Sequence, residues 1–160
     1  MLWEGEEYEN VPGDAGGPTK FGIDSRSNPG LNIRALTRDQ AKGMYLREYR
    51  AGKAGVFAHP LDYMWYDCEV NMGASGATKV LQRAIGAVAD GVWGEKTSAA
   101  LRAALKKGPA SMLGAFTLAR EKRYKDIAHA NASQHKFLRG WLNRNSAIKT
   151  WVAKRLEVAK

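Results

Sequence analysis

The sequence predicts a mainly α fold with a small irregular or β-hairpin element near the N-terminus. Three observations carry that expectation. Apolar residues recur at helical spacing in successive segments from residue 37 onward. Gly5, Pro12, Gly13, Gly16, Gly17, Pro18, Gly22, Pro29 and Gly30 crowd the start, a density that excludes a helix there and favours turns. No alternation of buried strands with helices supports a parallel sheet. The turn-rich start is read as a short hairpin ending around Phe21-Gly22-Ile23.

Thr37-Arg38-Asp39-Gln40 reads as a capping box, in which the Thr hydroxyl and the Gln side chain satisfy each other's orphan amides. The helix it opens runs to about Tyr49, with Ala41, Met44, Tyr45 and Tyr49 as its inner stripe. Gly52 to Pro60 is a connection. Leu61 to Met72 is a helix nearly surrounded by aromatics (Tyr63, Trp65, Tyr66), which predicts a central position. Gly73-Ala74-Ser75-Gly76 breaks it, and Ala77 to Ile85 continues with Val80, Leu81, Ala84 and Ile85 at helical spacing, stopped by Gly86. Asp90-Gly91-Val92-Trp93-Gly94 is a turn, and Glu95 to Leu105 a helix. After Gly108-Pro109, the pattern Met112, Leu113, Phe116, Leu118, Ala119, Tyr124, Ile127 describes a long helix to about Ala130. A polar break over residues 131–134 precedes a last helical region, Phe137 to Val158, with an interruption expected near Asn143-Asn145.

At 160 residues the chain is one domain, or one domain with a small appended subdomain. It lacks a run of apolar residues long enough to span a bilayer, and its Met-Leu-Trp-Glu-Gly-Glu-Glu start does not read as a secretory signal. The lone Cys68, among Tyr63, Trp65, Tyr66 and Val70, reads as a small buried apolar residue. Twenty-five basic against sixteen acidic residues give a net charge of +9. That balance suggests a polyanionic partner: nucleic acid, a membrane surface or an anionic wall polymer. The start is acidic (Glu4, Glu6, Glu7, Glu9, Asp14), whereas Lys and Arg dominate from Lys96 onward.

Chemistry concentrates in the acidic start. Glu4 follows the aromatic Trp3, and an aromatic neighbour raises a carboxyl pKa by desolvation, keeping it protonated for acid work. Asp14 sits among glycines, where a carboxylate stays ionised and can activate water, and the Thr19 hydroxyl can hold that water. Two carboxyl groups separated by a polar, Gly-rich connection suit acid-catalysed cleavage of a glycosidic bond. An ordinary solvated start with an Asp-Ala-Gly-Gly turn explains the same residues without catalysis. Gly16-Gly17-Pro18-Thr19-Lys20 lacks the phosphate-loop pattern, and His59, His129 and His135 share no ligand spacing. No Gly-x-Ser-x-Gly elbow occurs. Leu81-Gln82 with Asp90-Gly91-Val92-Trp93-Gly94 and Thr97 reads either as a helical hairpin packed on one Trp or as a binding element. Gly140-Trp141-Leu142-Asn143-Arg144 is similarly open between a core Trp and a sugar-stacking one.

Taken together, three segments resemble one family. Glu4-Gly5, Tyr8, Asn10, Pro12, Asp14 and Gly16-Gly17-Pro18-Thr19-Lys20-Phe21-Gly22-Ile23 resemble the signature of the glycoside hydrolase family 108 muramidases, found in phage and prophage endolysins and in a bacterial polar-localisation protein. Asp62, Tyr66-Asp67 and Val70-Asn71-Met72-Gly73 are similar to that family's central helix. Leu81-Gln82, Gly86, the 90–94 turn, Thr97, Leu101 and residues 140–144 look like the peptidoglycan-binding region that follows the catalytic part.

The resemblance implies a lysozyme-like helical fold, with residues 1–73 as the muramidase part and residues 74–160 as a helical peptidoglycan-binding region packed on it. It implies hydrolysis of the β-1,4 bond between N-acetylmuramic acid and N-acetylglucosamine. Glu4 would act as general acid and Asp14 and Thr19 would hold water, with inversion, an order similar to that of phage-type lysozymes. Tyr8, Asn71, Gln82 and Trp93 are the implied substrate-binding residues. The alternatives are a non-catalytic wall-binding or localisation scaffold of the same fold, or a lytic transglycosylase.

Two departures bear on the acid. Gly5-Glu6-Glu7-Tyr8 has one residue more than the family's Glu-Gly-Gly-Tyr, so Glu6 and Glu7 compete with Glu4 for the role. The chain also begins three residues before Glu4, whereas relatives carry most of a helix ahead of it; a truncated chain, an alternative start or weakened catalysis is the implied consequence. No metal or organic cofactor is expected. The expected partner is peptidoglycan, not nucleic acid, without stable membrane insertion, and the expected state is a monomer. Without a signal, the chain would be made in the cytoplasm and reach the wall through a holin-like pore or with a missing upstream segment.

Overall fold

The structure is a computed structural model that describes residues 7–10 and 17–158. It divides into two compact units, Met1–Ala51 and Gly52–Lys160. As the sequence predicts, it is mainly helical with one small antiparallel sheet near the N-terminus.

In the first unit, β1 (Thr19–Lys20) pairs with β2 (Ile23–Asp24), with Thr19 opposite Asp24 and Lys20 opposite Ile23. The two residues between them, Phe21 (φ 54°) and Gly22 (φ 75°), both have positive φ, as a two-residue hairpin turn of matching twist requires. Glu9 adds an isolated antiparallel bridge to Thr19, exchanging both backbone hydrogen bonds at 2.8 Å. The hairpin buries Phe21 and Ile23 against Ile33, Leu36 and Ala41, with Leu31, Met44 and Tyr45 packed around them. The Tyr45 hydroxyl donates to the Phe21 carbonyl at 2.8 Å and ties helix to turn. That helix, α1 (Arg38–Ala51), opens on the capping box: Thr37 N–H donates to Gln40 Oε1 at 2.9 Å, and Gln40 N–H to Thr37 Oγ1 at 3.3 Å.

The second unit is a helical bundle. After a single 3-10 turn, Ala54–Val56, come α2 (Leu61–Ala84), α3 (Glu95–Leu105), α4 (Pro109–Ala130) and α5 (His135–Val158), with a 3-10 turn, Ala132–Gln134, before the last. The break expected after Met72 is a kink within α2: Gly73 holds φ 71° and ψ 165°, a combination open almost only to glycine. Trp65, fully buried on α2, stacks on Phe57 (ring centroids 5.5 Å apart) and meets Trp93 and Phe116 edge-on at 5.2 and 6.4 Å. On another side of α2, Tyr63 lies 4.4 Å from the Trp151 ring of α5. The aromatics around α2 therefore do mark a helix with neighbours on several sides.

One expectation fails. α5 runs without interruption through Asn143-Arg144-Asn145 to Val158 rather than breaking there. Asn145 is buried and its side-chain amide donates to the Thr117 carbonyl on α4 at 3.0 Å, so a residue that usually favours turns is satisfied inside a helix.

Cys68 is buried, and burial pushes its thiol up to about 12, partly opposed by the Arg120 guanidinium. No helix among the described residues is long and apolar enough to cross a membrane.

Candidate functional site

The proposed acid and base, Glu4 and Asp14, lie outside the described residues, as does Glu6. Of the acidic start, Glu7 is described and is exposed. Thr19 sits in β1, half-buried, and its hydroxyl donates to the Gly17 carbonyl at 3.0 Å. Its oxygen lone pairs remain available as acceptors. Gly17 has φ 71°, and a Cβ there would lie 2.9 Å from the Ser25 hydroxyl oxygen, so a side chain would crowd the hairpin. Tyr8 is exposed, with the Arg34 guanidinium 5.5 Å above its ring. Lys20 Nζ donates to the Arg34 carbonyl at 3.2 Å, drawing the loop after β2 toward the strand that carries Thr19.

In the second unit the remaining candidates separate. Gln82 is 1% exposed and its side chain is taken up by the 90–97 turn. Its Nε2 lies within donor range of Asp90 Oδ1 (2.7 Å), Thr97 Oγ1 (3.0 Å) and the Val92 carbonyl (3.1 Å), while its Oε1 accepts from Gly91 N–H at 2.9 Å. Gln82, one of the expected substrate-binding residues, thereby clamps this turn from inside. The Asp90 carboxyl is held below its usual range, first by the Val92 N–H and then by the Gln82 amide. A depressed carboxyl favours the fold above its unfolded value and loses that contribution as pH falls through the folded one, so the turn loosens only in acid. Replacing Gln82 by Leu should cost about 2–4 kcal/mol, because Gly91 N–H and Thr97 lose a buried partner. Urea denaturation checks this; a loss below about 0.5 kcal/mol would mean that the turn holds itself.

Trp93 is half-buried, edge-on to Trp65 and Phe57, with its Nε1 donating to Ser98 Oγ at 3.1 Å. Lys53 Nζ stands 5.9 Å from its ring. Asn71, half-buried near the end of the first half of α2, accepts a hydrogen bond at Oδ1 from the Tyr124 hydroxyl of α4.

The sequence reading overlooked what stands behind Asn71. Arg120, fully buried on α4, pairs with the buried Asp67 of α2, Nη1 to Oδ2 at 2.7 Å. Arg144 of α5 donates to the other oxygen, Oδ1, through Nε at 2.9 Å and Nη2 at 2.8 Å. Arg120 Nε donates to the Tyr124 oxygen at 3.0 Å. Burial pushes the Tyr124 phenol up to about 12, with Arg120 opposing, so it keeps its proton at neutral pH. One signal was available: in the stripe Phe116, Arg120, Tyr124, an arginine occupies an apolar i, i+4 position. Among the described residues no group of three or more His, Cys, Asp or Glu is placed to hold a metal ion.

Comparison with known proteins supplies the rest. Residues 1–73 match the family model of Glycosyl hydrolase 108, and residues 76–146 that of a Predicted Peptidoglycan domain. The two meet at the Gly73 kink. The solved structure of Brucella abortus SagA is similar over 93% of this chain and 87% of that one, with a TM-score of 0.73 and 26% identity. No curated protein matches the chain. The chain thus carries a segment similar to Glycosyl hydrolase 108 joined to a segment similar to a peptidoglycan domain, and is a glycoside hydrolase acting on peptidoglycan.

Proposed function

We propose that the chain hydrolyses the β-1,4 bond between N-acetylmuramic acid and N-acetylglucosamine with inversion at the anomeric carbon. The observation that carries this reading is the glycosyl hydrolase 108 match over residues 1–73, the segment that contains Glu4, Asp14 and Thr19. Glu4 protonates the departing glycosidic oxygen, and Asp14 takes a proton from the attacking water. Thr19 orients that water by accepting a hydrogen bond from it, a role consistent with a hydroxyl whose own proton goes to Gly17. Inverting hydrolysis needs its two carboxyl groups about 6.5–9.5 Å apart to admit the water. Tyr8, Asn71 and Trp93 contact the glycan or its substituents. In this reading residues 1–73 catalyse and residues 74–160 hold the wall.

The net charge of +9 favours an anionic wall, and salt should weaken that attraction. The chain works as a monomer, without nucleic acid and without stable membrane insertion, and reaches the wall by a holin-like route as a phage-type endolysin.

The test is a digest of purified sacculi by the full chain. Mass spectrometry should find new N-acetylmuramic acid reducing ends, and NMR during the first turnovers should find them as the α-anomer. Anhydromuramic ends would mean a lytic transglycosylase, and N-acetylglucosamine reducing ends would mean that the other glycosidic bond is cut.

A further inference from the structure

A cavity of about 150 Å³ opens beside the Gly73 kink, lined by Asn71 and Met72 of α2, by Arg123, Tyr124 and Ile127 of α4, and by Trp141 of α5. At about 30 Å³ per water it has room for roughly five waters, or for one small residue. Trp141 stacks on Tyr124, ring centroids 5.2 Å apart and planes 19° from parallel, and closes one wall.

The polarity of this cavity is dictated from the buried core. A guanidinium N–H can only donate. Because Arg120 Nε donates to the Tyr124 oxygen, that oxygen is an acceptor there, and the tyrosine proton goes to Asn71 Oδ1. The Asn71 amide is therefore fixed in one orientation, its oxygen occupied and its NH₂ group left as the donor. No hydrogen bond within the described residues uses that NH₂. Among the described residues Arg123, at the same cavity, makes no hydrogen bond or ion pair, its charge reaching Asp126 only at longer range, and no acidic side chain lines the space. An arginine and an oriented amide thus converge with donors only, beside the apolar surfaces of Ile127, Met72 and Trp141. That combination selects a small group carrying a carboxylate and a methyl.

We propose that this cavity receives the terminal carboxylate of a D-alanine-ended peptide stem, so that the helical unit reads the stem while the glycan is cut. The assignment rests on the peptidoglycan reading above. Arg123 and the Asn71 NH₂ hold the carboxylate, and the alanine methyl lies against the apolar wall. A wall phosphate offers anionic oxygens but no methyl, and would leave that wall unfilled.

Titrating the full chain with N-acetyl-D-alanyl-D-alanine, followed by heat or tryptophan fluorescence, tests this. Saturable binding is expected, with the C-terminal amide of the same dipeptide at least tenfold weaker, since it removes the charge-assisted bonds. Arg123→Gln should weaken the acid at least tenfold. Asn71→Asp keeps an acceptor for Tyr124 but replaces the donor by a negative charge, and should do the same or more. Circular dichroism on both variants verifies the fold.

Equal binding of acid and amide would overturn the proposal, as would inorganic phosphate or the L,L-dipeptide competing as well as the D,D form. Sacculi cleaved by a protein that ignores the dipeptide would overturn it and leave the hydrolase reading standing. Dipeptide bound while sacculi stay uncut would support it and remove the hydrolase reading instead.

Discussion

Asp67→Ala should destabilise the helical unit by about 3–5 kcal/mol, the usual cost of stranding a buried charge. Arg120 is fully buried and cannot give up its proton, so without the carboxylate its guanidinium has no anionic partner. Arg144 loses the oxygen that takes both of its donors, although it is 16% exposed at the side chain and can turn toward solvent. The loss should lower the melting temperature by on the order of 10 °C in a chain of this size. A compensated pair separates the ionic contribution from packing. Asp67→Leu combined with Arg120→Met removes both charges, and buried ion pairs replaced by apolar groups are often neutral. The double variant should therefore be more stable than Asp67→Ala alone. Denaturation of the three proteins checks this; a single variant within about 1 kcal/mol of the parent would show that water or a shifted side chain rescues Arg120.

That network also marks where the sequence stops being readable. Local chemistry was legible: the Thr37–Gln40 box, the Phe21-Gly22 turn and the Gly73 break each depend on residues within a few positions of one another. The amphipathic stripes were legible too, because helical periodicity repeats along the chain. The pairing of Asp67 with Arg120 and Arg144 was not, since it joins three helices and appears only once α2, α4 and α5 pack. Gln82 was ambiguous for the opposite reason. A glutamine near a Trp-containing turn reads equally well as ligand contact or internal clamp, and its burial and its four partners emerge only in the fold. Asn145 misled because turn preference assumes an unsatisfied side chain, and here the Thr117 carbonyl satisfies it. For the candidate catalytic site, Thr19 and Tyr8 belong to the hairpin unit, while Glu4 and Asp14 lie outside the described residues.

Glu4→Gln should reduce turnover on sacculi by about a thousandfold, in the range that removal of a general acid gives. Glutamine keeps the shape and hydrogen-bonding reach of glutamic acid but has no proton to deliver to a leaving alkoxide. Stability should be unchanged, since glutamine conserves the size of the side chain it replaces. The extra residue before Tyr8 supplies the control, because Glu6→Gln and Glu7→Gln should each retain most of the activity. Loss confined to one of those two would move the acid to that position.

The pH profile distinguishes an acid from a carboxylate that only binds. An acid must be protonated to work, so kcat/KM falls above its pKa, and that alkaline limb should be absent from the residual rate of Glu4→Gln. Trp3 adjoins Glu4 in sequence, and an aromatic neighbour raises a carboxyl pKa by excluding water. Trp3→Ala should then lower the pKa and move the alkaline limb to lower pH, with the maximal rate less affected. An unmoved limb would leave Glu4 without the apolar partner that keeps it protonated, and would favour a different group as the acid.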